Sequence, residues 1–127
     1  AFNTHFDHMG KVARSESAKL ILEKIKQMAG DLPVIVTGDF NGTMDSEPVV
    51  VLTEGRMKNT CVMAKVAYGP MWSFHDFGRI PLERRKLIDI IFVNGPVDAE
   101  RYRTIGDKPD NGYLSDHAPV LATLKIL

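Results

Sequence analysis

Apolar positions along the chain follow two patterns. Between Ser15 and Ala29, the residues Ala18, Ile21, Leu22, Ile25, Met28 and Ala29 recur at three- and four-residue spacing, which places them on one face of a helix. Glu16, Lys19, Glu23, Lys24 and Lys26 fill the remaining positions, and Gly30 supplies a C-terminal stop. The second pattern is short, β-branched and non-alternating. Leu32 to Thr37 and Leu87 to Val93 show it, and it predicts strands buried on both faces. Asn94-Gly95-Pro96 ends the second of these.

Weaker patterns fill the gaps. Residues 1–6 read as the end of a strand and a loop. Ser46 caps a short helix through about Leu52, with Pro48 tolerated in its first turn. Arg101 to Ile105 is a short strand, and Pro119 opens a last one, Val120 to Ile126, with alternating sides. Residues 56–70 are ambiguous between a helical turn and a loop, and 71–81 read as an irregular loop. Helices alternating with buried strands predict an α/β or α+β sheet.

Composition adds limits. The 127 residues make one domain or part of one. Hydrophobic residues at 44% and charged residues at 25% match an ordinary soluble globular protein. The 16 basic and 16 acidic side chains cancel, so bulk charge gives no basis for tight nonspecific nucleic-acid binding. Cys61 stands alone and cannot form an intrachain disulfide. No apolar run approaches the ~20 residues of a membrane helix. The chain opens on Ala1, directly before a polar motif, so its start assigns no compartment.

Candidate chemistry sits at the ends of the apolar runs. Asp39 and Asn41 are two apart, and in extended chain such residues point the same way. A carboxylate can take a proton or hold a hard cation, and a carboxamide can position phosphate or water. The plain alternative is a turn, which Gly38, Asp39 and Asn41 all favour. Asp89 lies within Leu87-Ile88-Asp89-Ile90-Ile91-Phe92-Val93, where an unpaired carboxylate costs several kcal/mol and so needs a partner. A histidine would serve, oriented and stabilised by the carboxylate; a structural Arg or Lys pair is the alternative. Asp116-His117 offers a metal-binding carboxylate and a partner for Asp89, or else a polar surface loop.

His5, Asp7 and His8 suggest a zinc-type site, but no Cys or spaced His pair completes it. A phosphate-contacting His5, with His8 as a loop residue, is the simpler reading. Trp72, Phe74 and Phe77 either line a substrate mouth or pack in the core. Arg84-Arg85-Lys86 either meets phosphate or forms a solvated turn.

The order of these motifs resembles the endonuclease/exonuclease/phosphatase superfamily, with its DNase I-like fold. The stretches that carry it are NTHFDH at 3–8, VIVTGDFN at 34–41, LIDIIFV at 87–93 and SDHAPV at 115–120. The run R-x-x-S-A-x-L-I-L from Arg14 to Leu22 adds to it. GDFN and SDH, in order and about 75 residues apart, are the most specific elements. The resemblance implies a phosphoester hydrolase dependent on Mg²⁺ or Mn²⁺. It implies that His5 contacts the scissile phosphate, Asp39 activates or positions water and Asn41 orients phosphate. It also implies that Asp116 associates with metal, with Asp39 and Asn41 beside it, and that Asp89 and His117 form a pair.

The family domain is a four-layer α/β/β/α sandwich about twice this length. Its first half supplies a metal-binding Glu that no residue here matches; Glu16, Glu23 and Glu47 fall on predicted helices or caps. The chain is therefore expected to be the C-terminal half of such a domain: one mixed sheet, helices on one face, and impaired hydrolysis alone. Its open sheet face is expected to be covered by self-association or by the N-terminal half. A noncatalytic interaction module that keeps the fold is the alternative. A calcineurin-type phosphatase is disfavoured, because Gly38-Asp39 lacks the rest of that motif and no GNH occurs.

Overall fold

A computed structural model describes all residues, 1–127. The first strand, β1 (Phe2–His5), leads into the helix α1 (Lys11–Met28), and β2 (Val34–Asp39) follows. After α2 (Glu47–Glu54) come β3 (Lys58–Asn59), the one-turn helix α3 (Thr60–Met63) and β4 (Val66–Tyr68). A 3-10 turn (Leu82–Arg84) precedes β5 (Asp89–Asn94), β6 (Val97–Thr104) and β7 (Val120–Ile126).

The mixed α/β class holds, but the expected single sheet resolves into two. One has the order β1-β2-β5-β3 and the other β4-β6-β7. Each is mixed: β1–β2 and β4–β6 are parallel, whereas β2–β5, β3–β5 and β6–β7 are antiparallel. The helices α1 and α2 cover one face of the first sheet. Ala18, Ile25, Val49 and Leu52 pack there on Val34, Val36, Ile90 and Phe92.

Burial along β2 alternates rather than saturating both faces. Val34 and Val36 are buried against the helices, while Ile35, Thr37 and Asp39 remain partly exposed on the other side. The apolar run therefore marks a strand covered fully on one face only. The face of Asp39 is the one left open for chemistry.

Other boundaries shift for local reasons. The helix α1 begins at Lys11, one turn earlier than its apolar stripe. Just before it, the Asp7 carboxylate accepts the Gly10 N–H at 2.5 Å and the Met9 N–H at 3.3 Å, which settles free donors at a helix start. These bonds hold the Asp7 carboxyl below its usual pKa, the Gly10 N–H contributing most. Met28, expected on the packed face, is 72% exposed in the last turn, beyond the cover of the sheet.

The strand β6 starts at Val97, four residues before the expected strand. A bulge between Ala99 and Arg101 flips its inward positions from Val97 and Ala99 to Tyr102 and Thr104. That change of parity hides the alternation from a reading of the sequence. The strands β3 and β4 are two and three residues long, too short to leave any periodicity. No helix is long and apolar enough to cross a membrane.

Candidate active site

Strand register builds the site. His5 on β1 sits opposite Asp39 on β2, and Asp39 sits opposite Asp89 on β5. One acidic or imidazole side chain therefore comes from each of three adjacent strands, at a single level. The next residues, Phe6 and Phe40, turn to the helix side, as the pleat requires. Phe40 is fully buried and meets Phe6 at 5.1 Å and Phe92 at 5.3 Å between ring centroids, both edge to face. This aromatic anchor holds the strand ends from beneath. The Phe6 N–H donates to the Asp39 carbonyl, and the Phe40 N–H to the Ile88 carbonyl.

His117 reaches the row from the loop before β7. Its Nδ1 lies 2.6 Å from Asp89 Oδ2, both side chains being about one-quarter exposed. An ionised carboxylate only accepts, so the ring proton belongs on Nδ1 and Nε2 points away. His117 Nε2 lies 3.7 Å from Asp39 Oδ2, and His5 Nε2 lies 3.4 Å from the same oxygen. A charge-assisted N–H···O bond runs about 2.7–2.9 Å. Asp89 therefore grips its imidazole, whereas Asp39 grips neither of its two. Both Nε2 tips and the Asp39 carboxylate stay available to a third group among them. His5 is largely exposed, at 74% of its side chain, and closes the row loosely.

Asn41 departs from the extended geometry expected of it. Its φ is +46°, in the left-handed region that Asn tolerates. Its N–H turns back to Asp39 Oδ1 at 2.8 Å, and its amide nitrogen donates to the Phe6 carbonyl at 2.6 Å. Asn41 thus ties β1 to β2 and locks the Asp39 carboxylate. Asp116 stands apart from the cluster. Its backbone carbonyl accepts the N–H groups of His75 and Asp76, and Ser115 Oγ is 3.5 Å from its carboxylate.

Asp39, Asp89 and His117 offer ligand atoms that all lie within 4.8 Å of one another. Two carboxylates and an imidazole, with no thiolate, suit a hard divalent cation. Because Asp89 is committed to His117, Asp39 is the carboxylate free to face such an ion. The set is too small to complete an octahedral shell, so water, substrate or other protein groups would supply the rest.

Surrounding residues sort the remaining candidates. Phe74 lies 5.0 Å from the His117 ring and walls the site, and Phe77 is half-exposed. Trp72 carries the Arg85 guanidinium 4.5 Å from its ring centre, and Arg85 Nε donates to the Ile80 carbonyl. Arg85 is thus engaged in structure, and Arg84 in the exposed 3-10 turn. His8 is an exposed loop residue.

Two residues escaped the sequence reading. Ser73 is fully buried, and so is His75, whose Nδ1 accepts the Gly78 N–H at 3.0 Å. Burial, with help from the nearby Arg85 charge, lowers the His75 pKa. A cavity of about 260 Å³ opens beside His117, between Trp72, His75, Tyr113 and the 105–109 loop. A larger one, about 740 Å³, lies between α2 and β3 at the Asn94 end of the sheet. It is remote from the row, because Asp89 and Asn94 occupy opposite ends of β5.

The two mixed sheets with helices on one face match half of a solved sandwich domain, and the chain belongs to the endonuclease/exonuclease/phosphatase superfamily. It is similar to an endonuclease/exonuclease/phosphatase from Bacteroides vulgatus, at 41% identity and a TM-score of 0.91, covering 99% of this chain and 50% of that one. It is also similar to a mannosyl-6-phosphatase from Bacteroides thetaiotaomicron, at 31% identity and a TM-score of 0.86, covering 98% and 50%. With D. rerio TDP2, solved with a single-strand DNA product, it shares the fold at 24% identity, a TM-score of 0.71 and coverage of 97% and 54%. The chain spans about half the length of these solved structures. No family model and no curated protein matches the sequence.

Proposed function

We propose that this chain is the C-terminal half of a divalent-metal-dependent phosphoester hydrolase. One observation carries the reading: Asp39 stands between two imidazole tips, and one of those imidazoles is fixed by a second carboxylate. A simple structural ion pair needs one cation and one anion. Here two carboxylates and two imidazoles converge on an open face, and Asp39 makes no short bond to either ring.

The chemistry follows from these positions. Asp39, locked by the Asn41 N–H, orients an attacking water and takes its proton. His117, with its Nδ1 proton held by Asp89, presents Nε2 to the phosphoryl group; protonated there, it donates to an oxygen whose negative charge grows. His5 adds a second donor from the opposite side. A bound Mg²⁺ or Mn²⁺, which Asp39 would hold, would neutralise charge on the phosphate and leaving oxygen. The uncovered sheet face is proposed to pack against the N-terminal half or a second copy.

The Bacteroides thetaiotaomicron neighbour makes a phosphorylated sugar the first substrate class to test. The experiment is hydrolysis of mannose 6-phosphate, a phosphodiester and a nucleic-acid oligomer, with Mg²⁺, with Mn²⁺ and with chelator. It uses the longer protein, wild type and Asp39→Asn. Metal-dependent turnover of at least one substrate, abolished by Asp39→Asn, is expected. Turnover indifferent to both chelator and Asp39→Asn overturns the proposal.

A further inference from the structure

We propose that Ser73 is the positioning residue that fixes Asp89 and His117 relative to each other. The two side chains are 28 residues apart in sequence and come from different segments, one opening β5 and one preceding β7. Residues 73–76 form a strap between these segments. Phe74 makes isolated bridges to Lys86 on one side and to His117 on the other. The Ser73 and Phe74 N–H groups both donate to the Lys86 carbonyl. The His75 and Asp76 N–H groups both donate to the Asp116 carbonyl, at 3.0 and 3.1 Å.

Those ties use backbone groups, which nearly any residue would supply. Ser73 differs. Its hydroxyl oxygen accepts the N–H of Ile88 at 3.0 Å and the N–H of Asp89 itself at 3.1 Å. Its carbonyl accepts the N–H of Ala118, next to His117, at 2.6 Å. One residue, fully buried, therefore holds the backbone of both partners. A buried N–H left without an acceptor is costly, so removing the hydroxyl must either leave two donors orphaned or move β5. Because the Asp89–His117 bond is short, a small displacement lengthens it directly.

The proposal rests on the hydrolase reading for its consequence in catalysis, but its geometry is testable on this chain without any assay of activity. The probe is the His117 Nδ1 proton, followed by ¹H–¹⁵N NMR of the imidazole. A carboxylate-bound Nδ1 proton is expected downfield and slow to exchange, and its loss in Asp89→Asn assigns it. Ser73→Ala should weaken that signal or shift it upfield, while Ser73→Thr, which keeps the hydroxyl, restores it. Val36→Ala, a core truncation on the helix side of β2, controls for general destabilisation and should leave the signal in place.

A folded Ser73→Ala chain with an unchanged His117 signal overturns the proposal. Equal loss in Val36→Ala does the same. Where Ser73→Ala fails to fold, Ser73→Cys is read in its place, since a thiol keeps the size but accepts poorly. In the longer hydrolase, Ser73→Ala should lower kcat with little change in KM. If the NMR response holds and no phosphoester is ever cleaved, the hydrolase reading fails and the positioning role of Ser73 stands.

Discussion

Asp89 Oδ2 lies 2.6 Å from Nδ1 of His117, closer than any other contact between ionisable side chains in the site. The apolar run around Asp89 supplies the reason. Ile90 and Phe92 are buried on the helix side, so Asp89 opens β5 on the other face, where about three-quarters of its side chain is covered. A strong donor must face it there, and the imidazole does. The carboxylate sets the tautomer, and the tautomer sets which nitrogen faces Asp39.

Asp89→Asn tests that chain of causes. An amide can offer an N–H where the carboxylate only accepted, which favours the wrong tautomer and withdraws support from a charged ring. In the proposed longer hydrolase, kcat should fall by ~10²–10⁴-fold, the usual reach of a positioned acid or base, with folding retained. Steady-state kinetics beside a thermal melt measure both. Full kcat in a folded variant means that His117 does not depend on Asp89.

Asp39→Asn separates chemistry from fold differently. Asn keeps the shape and still accepts the Asn41 N–H through its oxygen, so the strand end should survive. It loses the charge that faces both imidazoles and any divalent ion. Binding of Mn²⁺ to the chain, followed by calorimetry, should weaken by at least tenfold, and kcat of the longer protein should drop by orders of magnitude. Unaltered Mn²⁺ affinity would place the ion elsewhere.

Residue type made the Asp89–His117 pairing legible. A carboxylate inside Leu87 to Val93 demanded a partner, and His117 was one of few donors available. The strand β7 was readable to the residue because its alternation is unbroken over Val120 to Ile126. Tertiary effects hid the rest. The bulge near Glu100 scrambled β6, and the splitting into two sheets depends on which edges pair, which no local pattern encodes. Asn41 was placed by assuming extended chain, whereas its left-handed turn aims its amide at Phe6. Ser73 left no trace, because a single hydroxyl between Trp72 and Phe74 looks like any loop serine.

Gly38 should be as sensitive as the acids, for a steric reason. It pairs with Thr4 across β1–β2, and a Cβ there would strike the Thr4 carbonyl oxygen. Backbone cannot swing aside as a side chain can, so Gly38→Ala must push β1 away from β2. A cost of about 1–3 kcal/mol is expected, as for other overpacked sites, read as a fall in the denaturation midpoint. His5 rides on β1, so its distance from Asp39 grows too. A variant as stable as wild type would mean that the two strands approach less closely than described.

Tyr102 gives a pH signature independent of catalysis. It is 2% exposed, with Cys61, Leu87 and Thr104 beside it. Burial pushes its pKa from 10.0 up to about 12. The folded state thus favours the neutral phenol. The stability this gives is fully present below about pH 10 and is lost as pH rises toward 12. Tyr102→Phe removes the ionisation and keeps the ring. Between pH 10 and 12 the variant should gain stability relative to wild type. Chemical denaturation at a series of pH values, with tyrosinate absorbance alongside, reads the effect. A gap between the two proteins that stays constant across that window would show that Tyr102 ionises alike in the folded and unfolded chains.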